Sequence, residues 1–78
     1  MNPAAARRFE VHAAHEGRGR GHTVEGTSFE DAALAFVETW HPHEDPDGDV
    51  TLIVRDCATG REHCLRVDVG AGEAAPCE

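Results

Sequence analysis

Two stretches, Val50-Thr51-Leu52-Ile53-Val54-Arg55 and Glu62-His63-Cys64-Leu65-Arg66-Val67-Asp68-Val69, carry apolar side chains at every second position and flank the turn-forming Ala58-Thr59-Gly60-Arg61. A helix would scatter such residues around its circumference, whereas an extended strand turns them all to one side. The two therefore read as an antiparallel hairpin. Pairing Leu52 with Val67 and Val54 with Leu65 gathers Val50, Leu52, Val54, Leu65, Val67 and Val69 on one face, and slipping either strand by one residue disperses them. A two-residue turn at Thr59-Gly60 suits that pairing, and a glycine-bulge turn fits the same residues. The rest of the chain has to cover this apolar face.

The segment after Ser28 supplies the cover. Phe29, Ala33, Phe36, Val37 and Trp40 recur at steps of three and four, while Glu30, Asp31 and Glu38 fall away from that stripe. Ser28 is a suitable N-cap, Glu30 and Asp31 favour the positive end of the helix dipole, and Pro42 stops the helix near Trp40. A helix over residues 28–40 follows. Arg8-Phe9-Glu10-Val11-His12-Ala13 alternates as a half-buried strand, the glycine-rich Glu16-Gly17-Arg18-Gly19-Arg20-Gly21 is a connection, and residues 22–25 form a second strand anchored by Val24. The expected architecture is α+β: an antiparallel sheet of about four strands with one helix packed on one face, in ββαββ order. The expected core is Phe29, Leu34 or Ala33, Phe36, Val37, Leu52, Val54, Leu65 and Val67. Arg8, Glu10, His12, Ile53, Arg55, Cys64 and Arg66 fall on the opposite, open face.

At 78 residues there is room for one domain. Leu, Ile, Val and Phe account for 14 residues, close to the composition at which chains stay unfolded, but eleven of them fall within residues 29–69. The expected ordered core is residues 8–69, with a frayed Gly-, Ala- and Pro-rich tail over residues 70–78. Met1-Asn2-Pro3-Ala4-Ala5-Ala6-Arg7-Arg8 has no apolar run behind its arginines, so neither a signal peptide nor a membrane span is expected. Cys57, Cys64 and Cys77 are odd in number and lack Cys-x-x-Cys spacing, which reads as reduced thiols in a cytoplasm. Cys64 on the open face and Cys77 in the tail are then candidates for an intermolecular disulfide in a homodimer. Arginine without lysine, beside twelve Ala and eight Gly, points to a GC-rich bacterial or phage genome.

Chemistry-bearing motifs are sparse. His41-x-His43 beside Glu44 and Asp45 offers imidazoles and carboxylates, but its spacing is not that of a structural metal site, and no metal is expected. Asp45-x-Asp47-x-Asp49 begins like a calcium loop and then departs from it, with Gly48 at the fourth position and Val50 at the sixth. Gly17-x-Gly19-x-Gly21 does not open onto a helix, as a phosphate cradle must. His63 and Cys64 are neighbours on a strand and face opposite ways, so the pair cannot act as base and nucleophile. No catalytic residue and no cofactor follow from the sequence.

The charge distribution is the informative feature. The formal charge is -8, from seven Arg against fifteen acidic residues, which argues against direct binding to nucleic acid or an anionic membrane. Residues 1–27 carry +1, residues 28–49 carry -7 with no base, and residues 50–78 carry -2. Glu30, Asp31, Glu38, Glu44, Asp45, Asp47 and Asp49 are the candidate partner-binding residues, since their summed field attracts a basic surface. A short acidic chain with strands around one helix and a concentrated carboxylate patch resembles the phage-encoded anti-CRISPR proteins that act on type I CRISPR systems. The resemblance covers size, charge and element order across residues 8–69, without a shared motif. It implies an inhibitor that occupies the basic, nucleic-acid-binding subunit of a surveillance complex and blocks target DNA. The competing expectation is a small cytoplasmic protein-interaction module or homodimer.

Overall fold

Alternating side chains and one amphipathic stripe assemble into a five-stranded sheet under a single helix. The computed structural model describes residues 6–77. Met1-Asn2-Pro3-Ala4-Ala5, on which part of the signal-peptide expectation rests, and Glu78 at the end of the expected tail lie outside the described residues. The elements are β1 (Arg7–Ala13), β2 (His22–Gly26), α1 (Phe29–Trp40), β3 (Asp49–Asp56), β4 (Glu62–Asp68) and β5 (Glu73–Pro76), with a 3-10 turn at Arg18–Arg20. Strand order is β2-β1-β3-β4-β5, and every neighbouring pair is antiparallel. Among the described residues no helix is long and apolar enough to cross a membrane.

The α+β class, the antiparallel sheet and the single covering helix are as the sequence leads one to expect; the strand count is not. Among the described residues there are five strands in ββαβββ order, because residues 73–76 pair along the outer edge of β4 instead of fraying. Asp68 turns the chain: its carbonyl accepts from the Gly72 N–H at 2.8 Å, its carboxylate accepts from the Ala71 N–H at 3.1 Å, and Gly72 takes a left-handed φ of 69°. Backbone pairing to β4, together with the half-buried Ala74, holds a strand with no apolar alternation of its own.

The β3–β4 register also differs. Val50 faces Val67, Leu52 faces Leu65 and Val54 faces His63, a shift of two residues from the pairing expected. A shift of two preserves the face of every side chain, so the apolar surface is the one read from the sequence. The cause lies in the loop at residues 57–60. The Asp56 carboxylate accepts from the Ala58 N–H at 2.8 Å and the Thr59 N–H at 3.4 Å, and Gly60 closes the turn at a φ of 78°. With the Asp56 N–H donating to the Arg61 carbonyl at 2.8 Å, four residues lie inside the closing pair in place of two.

Helix α1 starts as its sequence dictates: Ser28 is the N-cap, and its hydroxyl accepts from the Asp31 N–H at 3.0 Å. Ala32, Ala33, Phe36 and Val37 pack onto Phe9, Val11, Val24, Leu52, Val54, Leu65 and Val67, while Phe29 and Leu34 are only half-buried at the rim. Burying a large apolar side chain stabilises by about 1.5–3 kcal/mol, so a thin core of this kind suffices only because the strands bury nearly every inward residue completely. On the other face, Glu10, His12, Ile53, Arg55 and Cys64 are half-buried and Arg8 and Arg66 exposed, with Glu10 and Arg55, paired in register, 3.8 Å apart.

Candidate functional site

Seven carboxylates were expected to form one acidic surface, and local structure divides them. Asp31 sits in the first turn of α1, where its carboxylate accepts from the Thr27 N–H at 2.8 Å and the Thr27 hydroxyl at 3.3 Å; it secures the entry to the helix. Asp45 and Asp49 flank the turn into β3. Asp45 Oδ1 accepts from the amides of Asp47 and Asp49, each at 2.9 Å, and its carbonyl accepts from the Gly48 N–H at 2.9 Å. The Asp-x-Asp-x-Asp run thus folds onto its own backbone rather than converging on an ion. Arg66, from β4, then reaches Asp49 at 3.2 Å and Asp45 at 3.7 Å. Glu30, Glu38, Glu44 and Asp47 remain exposed and without an ion pair among the described residues. Glu30 stands about 15 Å, at about 1.5 Å per residue, from the Trp40 end that leads to Glu44 and Asp47. Of the four unpaired members of the seven, Glu38, Glu44 and Asp47 therefore lie at the C-terminal end of α1 and in the loop after it. No cation sits in the last turn of that helix, so its own negative end adds to the same field.

The cysteines depart from expectation. Cys64 and Cys77 are bonded to each other within the chain, their Cα atoms 5.4 Å apart, and the Cys77 N–H donates to the Cys64 carbonyl at 2.9 Å. Both reduced thiols and an intermolecular bridge through these two residues are corrected by this pairing: β5 carries Cys77 back beside β4, so each sulfur finds its partner at home. Cys57 is free and exposed. His63, on the opposite side of β4 from Cys64, lies 4.1 Å from the Phe29 ring.

Two aromatic groups bracket the helix. At its start Phe9 meets Phe29 edge-on at 5.1 Å, with the Arg7 guanidinium over both rings at 5.2 and 5.8 Å and bonded to Asp56 at 2.9 Å. The Asp56 carboxyl is held below the usual carboxylate range, chiefly by the Ala58 N–H; desolvation opposes this, and Arg7 and the Thr59 N–H add to the lowering. At the helix end, Trp40 stacks on His22 at 4.4 Å and 17° and lies 5.3 Å from Phe36. The helical period puts Trp40 on the apolar stripe, yet it is 41% exposed. His41 caps the helix in a left-handed conformation, φ 48°, its N–H returning to the Val37 carbonyl at 2.9 Å.

Beside Trp40 runs a groove of about 210 Å³ whose walls include His15, Arg20, His22, Phe36 and His43. It adjoins an open depression of about 640 Å³ that shares His15 and His43 and is walled by Glu44, Asp45 and Asp49. Reading the stripe alone missed this: the sole tryptophan at the last helical position before a His-Pro break is the signal that could have found it. No group of three or more His, Cys, Asp or Glu among the described residues is arranged to hold a metal ion.

The matched family spans residues 7–78, which takes in every element from β1 to β5. The chain belongs to the Family of unknown function (DUF5961). No curated protein and no solved structure matches it. For this DUF5961 domain, function has to be argued from the surface itself. That surface offers free carboxylates and an exposed indole at one end of the helix, and a disulfide-held strand at the far edge of the sheet.

Proposed function

We propose that this DUF5961 domain is a non-catalytic binding module that docks on a basic protein through the acidic end of α1 and the loop after it. The observation that carries this reading is that Glu38, Glu44 and Asp47 have no ion pair among the described residues, while residues 28–49 hold seven acids and no Lys or Arg. Unpaired like charges on one side of a small domain cost stability by mutual repulsion, and a basic partner relieves that cost on binding. Their field also accelerates encounter with such a partner.

The narrower form of the reading follows from the resemblance to anti-CRISPR proteins: the partner is a nucleic-acid-binding subunit of a type I surveillance complex, and the domain keeps target DNA from its groove. That form implies a bacterial cytoplasm, where thiol reductants work against the Cys64–Cys77 bond. The test is competition. At low salt, the domain should displace labelled target DNA from a purified type I surveillance complex. Glu38→Lys, Glu44→Lys and Asp47→Lys combined should lose that effect, and added salt should imitate the loss. A wild-type domain that leaves DNA binding untouched at low salt overturns the narrower form. Failure to bind cationic peptides as well overturns the module itself.

A further inference from the structure

We infer that the groove beside Trp40 is the seat of one arginine side chain of the basic partner, an inference that rests on the binding-module reading and adds what that reading leaves open: which cation, and where. Trp40 is the exposed large apolar residue of the described chain, with an indole stacked on His22 at 4.4 Å and backed by Phe36. Fixing the ring in this way removes the ordering cost that a free surface tryptophan would incur on binding. The groove, at about 210 Å³, lies below the range of about 300–1,000 Å³ typical of small-molecule sites and suits a single side chain.

Charge selects the occupant. The groove shares His15 and His43 with the depression that Glu44 walls, and the helix that ends at Trp40 has no basic residue in its last turn. Arg20 and Glu16 both line the groove and cancel in formal charge, Glu16 lying 3.9 Å from His15, so the neighbouring carboxylates set the sign. The same molecule shows the pairing at its other end, where the Arg7 guanidinium lies over Phe9 and Phe29. No described cation lies over Trp40. Arginine fits better than lysine because its planar, weakly hydrated guanidinium stacks on an indole while its edge still donates to a carboxylate.

The chain has one Trp and no Tyr, so its fluorescence reports on this position alone. Capped nona-arginine and nona-lysine peptides carry equal charge and serve as probes, with binding followed by Trp40 emission and by backbone amide shifts. The wild-type domain should bind the arginine peptide about two- to five-fold more tightly than the lysine peptide, the range expected of an exposed cation–π contact. Saturable quenching of Trp40 should accompany the arginine peptide. Trp40→Leu, which keeps apolar bulk against His22, should bind both peptides with the affinity the wild type shows for lysine. Equal wild-type affinities, or an arginine preference that survives in Trp40→Leu, overturns the arginine seat and leaves the acidic surface standing. Absence of binding by both peptides overturns the two together.

Discussion

Gly26 closes β2 two residues before the Ser28 cap, and its backbone is ordinary; what it supplies is space. A Cβ there would stand 3.0 Å from the Ala32 nitrogen and 3.2 Å from its Cα, both helix backbone, with an Asp31 carboxylate oxygen at 3.1 Å. Gly26→Ala therefore needs the helix backbone at Ala32 to give way by a few tenths of an ångström. The expected cost is about 1–3 kcal/mol, read as a lower midpoint in thermal or urea unfolding, and an unchanged midpoint would show that the helix yields freely. Asp56 acts through charge. Its folded pKa lies below the unfolded value of about 4, so its contribution is complete above that pH and is lost as pH falls from there through the folded value. Stability should drop on acidification below about pH 4, and Asp56→Asn, less stable at neutral pH, should show a flatter acid limb; parallel limbs for the two proteins would remove Asp56 as a cause.

Strand β5 has four residues, Glu-Ala-Ala-Pro, and only Ala74 among them packs against the core. Ordering each residue costs about 1–2 kcal/mol in backbone entropy, which so little burial does not offset. The Cys64–Cys77 bond, closing a 13-residue separation, removes about 3 kcal/mol of that penalty from the unfolded side in the chain-entropy account. Reduction by a dithiol should therefore speed amide exchange at Ala75 and Cys77 while Leu52 and Val54 in β3 stay protected. Unchanged exchange at the C-terminal edge would mean that pairing to β4 alone holds the strand. The same physics explains what the sequence could and could not disclose. Helix α1 is legible because its cap, stripe and stop are all local. The β3–β4 face is legible but its register is not, since pairings two residues apart give the same face and the choice falls to Asp56 holding the loop amides. Strand β5 has no alternation to read, and its bond to β4 joins cysteines too far apart in sequence for spacing rules. Trp40 fits the helical period, but the stripe runs on past the core that buries Phe36.

Across the whole molecule, the acidic surface is divided by one cation that the charge count along the chain hides. Arg66 comes from β4, 17 residues beyond Asp49, and sits between Asp49 at 3.2 Å and Asp45 at 3.7 Å, so two of the seven expected contact residues face a partner already matched. All three side chains keep solvent access, and each such pair contributes only about 0.2–1 kcal/mol. Removing the cation should thus cost little stability while changing the surface a great deal. In Arg66→Gln, Asp45 and Asp49 join Glu44 and Asp47 as free carboxylates, and the turn keeps its shape because Asp45 still accepts from the Asp47 and Asp49 amides. The variant should bind a nona-lysine peptide more tightly than the wild type, with a steeper loss on raising salt and most of the gain in association rate. Affinity measured across ionic strength decides it. If Arg66→Gln binds the peptide no better at low salt, Asp45 and Asp49 are not part of the docking surface. The surface then narrows to Glu38, Glu44 and Asp47 beside the Trp40 groove.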